Sequence, residues 1–181
     1  YLTIPMTSRV LIIEDEPDIR KTIDYNLSKE SFQVFQAGSI AEGEQSILDN
    51  SPDVIILDLM LPDGSGLTLC RDVKSNEETK HIPIILITAI KTDSESRAMG
   101  LNMGADAFLW KPIDALELVA QINVMLRIKK AEDKIRREKE HLEEKNQELE
   151  RYALLFEGRE FRIKELRDKI KELETKLQNL S

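Results

Sequence analysis

At 181 residues the chain has room for one ordinary domain and something more. A net charge of −8 argues against a nucleic-acid surface, and a single cysteine, Cys70, excludes an internal disulfide and fits a reducing cytoplasmic setting. No apolar run approaches the ~20 residues of a membrane-spanning helix, so neither nucleic-acid nor membrane contact is expected.

Met6 reads as a natural start, so Tyr1–Pro5 are taken as a leader or added residues, and residues 1–8 as a whole are set apart from the receiver. Val10-Leu11-Ile12-Ile13 is a short apolar run, hence a buried strand, and it ends in Glu14-Asp15-Glu16. Pro17 suits the first turn of a helix, and Ile19, Ile23 and Leu27 recur at helical spacing. Phe32–Ala37 reads as a second strand; Ser39-Ile40-Ala41-Glu42 is a capping box opening a helix that ends near Asn50. Val54-Ile55-Ile56-Leu57 is a strand buried on both faces, ending in Asp58, after which Leu61-Pro62-Asp63-Gly64 turns the chain. A helix around Leu67–Lys74, a fourth strand Pro83–Thr88, and a helix capped by Thr92-Asp93-Ser94-Glu95 follow. Ala107–Lys111 is the fifth strand, and Asp114-Ala115-Leu116-Glu117 caps the last helix. Alternating strands and helices predict a doubly wound, five-stranded parallel sheet covered on both faces.

In such a sheet the carboxyl ends of the strands share one edge, where ligands bind. Glu14, Asp15, Asp58, Thr88 and Lys111 all stand at strand ends and can converge there. Carboxylates brought together repel unless a cation neutralises them, and hard oxygen ligands with open positions suit Mg²⁺ completed by phosphate oxygens. A hydroxyl and an ammonium nearby are what a phosphoryl group on Asp58 needs. The residues suggest phosphoryl transfer to a carboxylate. Each also has a plainer reading: Asp58 as a solvated turn acid, Glu14 and Asp15 as helix N-terminal acids, Thr88 as a strand residue, Lys111 as a solvated strand end.

Leu11-Ile12-Ile13-Glu14-Asp15-Glu16-Pro17, Leu57-Asp58-Leu59-Met60-Leu61-Pro62-Asp63-Gly64, Thr88-Ala89 and Gly104-Ala105-Asp106 through Lys111-Pro112, in order and at these spacings, resemble the receiver domain of two-component response regulators. The resemblance covers Arg9 to about Leu126 and implies a flavodoxin-like fold. It implies that Asp58 is the phosphoacceptor and that Glu14, Asp15, Asp58 and the backbone carbonyl of Met60 hold Mg²⁺. By the same likeness Thr88 is the switch hydroxyl, Lys111 contacts the phosphoryl group, Phe108 is the switch aromatic, and Ala89 keeps donor access open. Lys111–Pro112 is a candidate cis peptide. A histidine kinase, phosphotransfer protein or small phosphodonor is the implied partner; no separate enzyme domain is visible. Glu14 departs from the commoner Asp and adds a methylene; Phe108 departs from the commoner Tyr, so its part in switching is through packing. Met60 and Ile90, both apolar, fall where water approaches, and slow hydrolysis of the aspartyl phosphate is expected.

Past the receiver, composition changes: all six prolines lie at or before Pro112 and six of the seven glycines before residue 105. Ile128, Ile135, Leu142, Leu149, Phe156, Ile163, Ile170 and Leu177 repeat every seven residues, so residues 127–181 read as a coiled coil following a receiver domain at 9–126. A parallel homodimer is favoured, although Glu138, Lys145 and Arg159 weaken the second seam position and Gly158 allows a hairpin break to be considered. His141 lacks the pattern of sensor-kinase histidines, which sets aside phosphotransfer within the coil. The expected function is a phosphorylation-controlled switch driving a partner or a C-terminal effector beyond this chain. The alternative is a constitutive dimeric scaffold with a non-switching receiver.

Overall fold

The computed structural model describes residues 7–89 and 104–178. The helix expected after Thr92–Glu95, and Ile90 with it, lie outside the described residues. The elements are β1 (Arg9–Ile13), α1 (Pro17–Ser28), β2 (Gln33–Ala37), α2 (Ile40–Asn50), β3 (Val54–Asp58), β4 (Met60–Leu61), β5 (Gly64–Ser65), α3 (Gly66–Ser75), β6 (Ile84–Thr88), β7 (Ala107–Trp110) and α4 (Ala115–Gln178). The five longer strands form one parallel sheet in the order β2-β1-β3-β6-β7, the flavodoxin-like order with its central strands buried. β4 and β5 form a small antiparallel hairpin, pairing Met60 with Ser65 and Leu61 with Gly64. The sequence predicts only a turn there, because two residues per strand are too few to show a period.

Apolar runs without alternation become strands that feed two cores. Leu11, Ile13, Leu57 and Leu86 face one side with Leu69, Cys70 and Val73 of α3. Val10, Ile12, Ile56 and Ile87 face the other with Ile23 and Leu27 of α1 and Leu118, Ile122 and Met125 of α4. Each fully buried Leu or Ile contributes about 1.5–3 kcal/mol by leaving water, which sets this sheet as the rigid base for what sits on its edge. No helix among the described residues is long and apolar enough to cross a membrane.

The helix starts follow the expected capping, with one difference. Ser39 Oγ accepts from Glu42 N at 3.2 Å, but the Glu42 carboxylate accepts from Gly38 N at 2.6 Å, one residue ahead of the capping-box partner. Two further donors of the α2 N-terminus, Ile40 N and Ala41 N, are satisfied from elsewhere in the chain by Asp63, at 2.9 and 3.0 Å. Asp114 Oδ1 accepts from Glu117 N at 3.0 Å at the start of α4.

The chain divides into two compact units, one reaching Glu132 and the other beginning at Asp133, within the continuous α4 helix. In the first, Lys129 near the end of the buried stripe lies 3.8 Å from Asp53, which also accepts from Arg9 N at 2.9 Å. In the second, charged pairs at helical spacing line the surface, such as Arg136–Asp133 at 2.6 Å and Lys145–Glu148 at 3.5 Å, each worth only a few tenths of a kcal/mol. Helix continues through Gly158, as the unbroken heptad led one to expect. The seam residues Ile135, Leu142, Leu149, Phe156, Ile163 and Ile170 are exposed in the single chain.

Candidate functional site

Register brings the polar strand ends together. β1 and β3 align Ile13 with Leu57, so Glu14 and Asp58 follow side by side; β3 and β6 align Asp58 with Ile87, so Thr88 comes next. Lys111 directly follows β7, and its backbone N–H donates to Thr88 O at 2.8 Å. Asp58 and Glu14 are 4% and 0% exposed, a burial that carboxylates tolerate only when paired. The partner is Lys111. Its Nζ donates to Asp58 Oδ2 at 2.6 Å and to Glu14 Oε1 at 2.9 Å, bridging the two acids. Asp58 Oδ1 also accepts from Met60 N at 3.2 Å, and Glu14 Oε1 from Glu16 N at 3.3 Å. Lys111–Pro112 is cis, as the sequence suggested.

The electrostatics show a site short of positive charge. Burial pushes the Glu14 carboxyl up, the neighbouring Asp58 adds to it, and hydrogen bonding to Lys111 only partly offsets them. For Lys111, burial acts downward, but hydrogen bonds to Asp58 and Glu14 prevail and hold the ammonium above its ordinary value. Both groups therefore favour keeping protons, as expected where acids outnumber cations. One more observation points the same way. Glu14 Oε2 is buried 2.7 Å from Lys111 Nζ yet outside hydrogen-bonding geometry, so it has a charge neighbour and no hydrogen bond. Glu14, Asp15 and Asp58 each offer an oxygen, and these atoms lie within 4.8 Å of one another. A hard divalent cation such as Mg²⁺ fits this donor set, with Asp15 exposed and able to turn toward it.

The other expected residues are placed as follows. Thr88 is buried at the end of β6. Phe108 is half-buried in β7 and packs on the core that includes Leu57 and Leu86. Met60 presents an exposed side chain, 66%, beside the site. Ala89 helps line a groove of about 600 Å³ with Glu16, Ile19, Ile23, Lys111 and Pro112.

Two supporting residues escape a reading by motif. The Arg20 guanidinium, one turn into α1, donates to the carbonyl of Glu14 and, at 3.4 Å, to that of Asp15, fixing the backbone of the acidic pair. Its helical spacing from Glu16 was the available signal. Gly66 lets the start of α3 close onto the end of β3: a Cβ there would lie 2.0 Å from the Asp58 carbonyl oxygen. Nothing in the sequence reports that approach, because it joins residues whose separation is set by the hairpin between them.

The strand order and the acids gathered around one lysine define a flavodoxin-like α/β protein with an acidic edge. The chain belongs to the response regulator receiver domain family, whose pattern matches residues 10–123. It is 41% identical over 120 residues to the response regulator ArlR of Staphylococcus saprophyticus, covering 66% of this chain and 53% of ArlR. It is 39% identical over 127 residues to PhoB of Rhizobium meliloti, a phosphate regulon transcriptional regulatory protein, covering 70% and 56% of the two chains. Among solved structures, the CheY-like response regulator receiver domain protein of Methanospirillum hungatei superposes with a TM-score of 0.65 at 26% identity, covering 70% of this chain and 98% of that one. The chain spans about half the length of the curated relatives it matches.

Proposed function

We propose that this protein is a phosphorylation-controlled signalling switch in which Asp58 accepts a phosphoryl group from a histidine kinase, a phosphotransfer protein or a small acyl phosphate. The observation that carries this is the buried Asp58 carboxylate held at 2.6 Å by Lys111 Nζ on the open edge of the sheet. An Asp58 oxygen attacks phosphorus in line, the bond from phosphorus to the donor breaks, and the donor departs with that electron pair, as acetate when the donor is acetyl phosphate. Lys111 already stands where the product's added charge arises, and its ammonium passes from the carboxylate to a phosphoryl oxygen. The Thr88 hydroxyl, one position beyond the residue paired with Asp58, donates to another phosphoryl oxygen, and the half-buried Phe108 repacks with it. Arg20 and Gly66 keep the acidic pair and the end of β3 in register while this happens. Glu14, Asp15, Asp58 and the Met60 carbonyl would hold Mg²⁺, which when bound neutralises charge on the transferring phosphoryl group.

The output runs through the coil. Residues 127–181 pair in a parallel homodimer along the seam from Ile128 to Leu177, and phosphorylation changes the register or angle of that coil, which acts on a partner or on an effector beyond this chain. Intact mass after incubation with Mg²⁺ and acetyl phosphate tests the chemistry. One added phosphate on the wild type and none on Asp58→Asn is the expected result. Equal addition to both would remove Asp58 from its role. No addition to either, together with no binding of fluoroberyllate, would leave a coiled-coil scaffold with a silent receiver.

A further inference from the structure

The β4–β5 hairpin follows Asp58 after a single residue, and its backbone serves the site twice. Met60 N–H donates to Asp58 Oδ1 at 3.2 Å, and the Met60 carbonyl is one of the four proposed Mg²⁺ ligands. Strands of two residues each are too short to hold such a hairpin in place by themselves. Gly66 N–H closes its base by donating to Leu59 O at 2.9 Å, and Leu61 buries its side chain in the core with Leu57 and Leu69. Those two anchors still let the hairpin tilt about Leu61, because Met60, Pro62, Asp63, Gly64 and Ser65 are all exposed.

The tip of the hairpin is tied to a different element. Asp63 Oδ1 accepts from Ile40 N at 2.9 Å and Oδ2 from Ala41 N at 3.0 Å, one oxygen to each of two successive amides of α2. The helix dipole favours a carboxylate there, and a two-pronged bond fixes orientation as well as distance. The neighbouring Gly64 brings the tip close: a Cβ there would lie 3.0 Å from Ile40 Cδ1. Capping does not by itself explain the tie. Ser39 Oγ already accepts from Glu42 N at 3.2 Å, and water can serve exposed first-turn amides. Asp63 stands two residues after Leu61, and Met60 one before it. A tie at the tip therefore sets the tilt that places the Met60 backbone.

We propose that Asp63 is a positioning residue for the Asp58 site: its link to α2 holds the β4–β5 hairpin at the angle that aims the Met60 backbone at Asp58 and at the cation. The proposal rests on the Mg²⁺ reading above, so its test has one readout with the metal and one without. The first is the Mg²⁺ dissociation constant of the full chain by calorimetry; the second is hydrogen exchange at the Met60 amide in metal-free protein. Loss of a group that orients a metal ligand typically weakens binding 10–100-fold, and Asp63→Ala should raise the dissociation constant by about tenfold, the low end, because it acts through the hairpin. Met60 exchange should quicken in the same variant. Asp63→Asn keeps one carbonyl oxygen for one of the two amides and should fall between Asp63→Ala and the wild type. Ser39→Ala is the control: it removes a cap from the same turn of α2, costing about 1 kcal/mol of stability, and should leave both readouts at wild-type values. Asp63→Ala with wild-type affinity or wild-type exchange overturns the proposal, as does an equal change in Ser39→Ala, which would make Asp63 a helix cap and no more. A wild type that takes up no Mg²⁺ overturns the cation reading instead. Faster Met60 exchange in Asp63→Ala alone would then still uphold the tie to Asp58, and unchanged exchange would remove both.

Discussion

Replacing Gly66 by Ala should destabilise the receiver, against the usual direction of a Gly-to-Ala change in a helix. Propensity alone favours Ala by up to about 1 kcal/mol, less at the first residue of α3. The added Cβ, however, would lie 2.0 Å from the Asp58 carbonyl oxygen, 3.0 Å from the Asp58 carbonyl carbon and 3.2 Å from Leu59 Cα. Carbon and oxygen rest in contact near about 3.5 Å, so backbone must move by roughly 1.5 Å. All three obstructing atoms are backbone, and Leu59 N is itself tied to Ile87 O at 3.2 Å, so no rotamer change relieves the contact. Overpacking of this kind costs typically 1–3 kcal/mol and more where the neighbours are rigid; the expected net loss is about 3 kcal/mol. With an m-value near 1.5–2 kcal/mol/M, the urea midpoint should fall by roughly 1.5–2 M. The displaced atoms belong to Asp58, so the rate of labelling by acetyl phosphate under conditions where the variant is folded should drop by about 100-fold. A Gly66→Ala protein as stable and as readily labelled as the wild type would refute the reasoning.

Lys111→Met leaves Glu14 and Asp58 buried with no cation between them, which should cost about 3–5 kcal/mol, and Mg²⁺ should restore more stability to this variant than to the wild type in parallel urea titrations. Asp63, held below the ordinary 3.8 of an aspartate by backbone hydrogen bonds from Ile40 and Ala41, should support the fold fully above 3.8 and lose that support as pH falls through its lower folded value. The gap in unfolding midpoint between wild type and Asp63→Asn should accordingly close as the pH is lowered; a gap that widens there would reverse the sign. Cys70 is fully buried, and burial pushes its thiol up to about 11, so a disulfide reagent at mildly alkaline pH should leave the native protein unmodified and titrate one thiol on unfolding.

The match between pattern and fold has a local cause. Val54–Asp58 is legible as a strand because a run buried on both faces needs no alternation, and Pro17, Ser39 and Asp114 act on the first turn of the helices they open. The acids, Thr88 and Lys111 are legible because each stands where an apolar run ends. The short hairpin at β4 and β5 and the Asp63 link to α2 are different. They join residues 3 and 5 positions apart and 22 and 23 positions apart through a few hydrogen bonds, and no periodicity carries such information.

What the chain's order of residues determined by itself is therefore the set of elements, the edge on which the polar strand ends fall, and the heptad that carries α4 through Gly158. All of these follow from short-range sterics and from which side of each element must leave water. Only tertiary structure decided that one ammonium bridges two buried acids, that Arg20 holds the backbone beneath them, and that Gly66 must lack a side chain. Those depend on distances of under four ångströms between side chains and backbone of different elements, set when the sheet closes into register and the cores on its two faces pack.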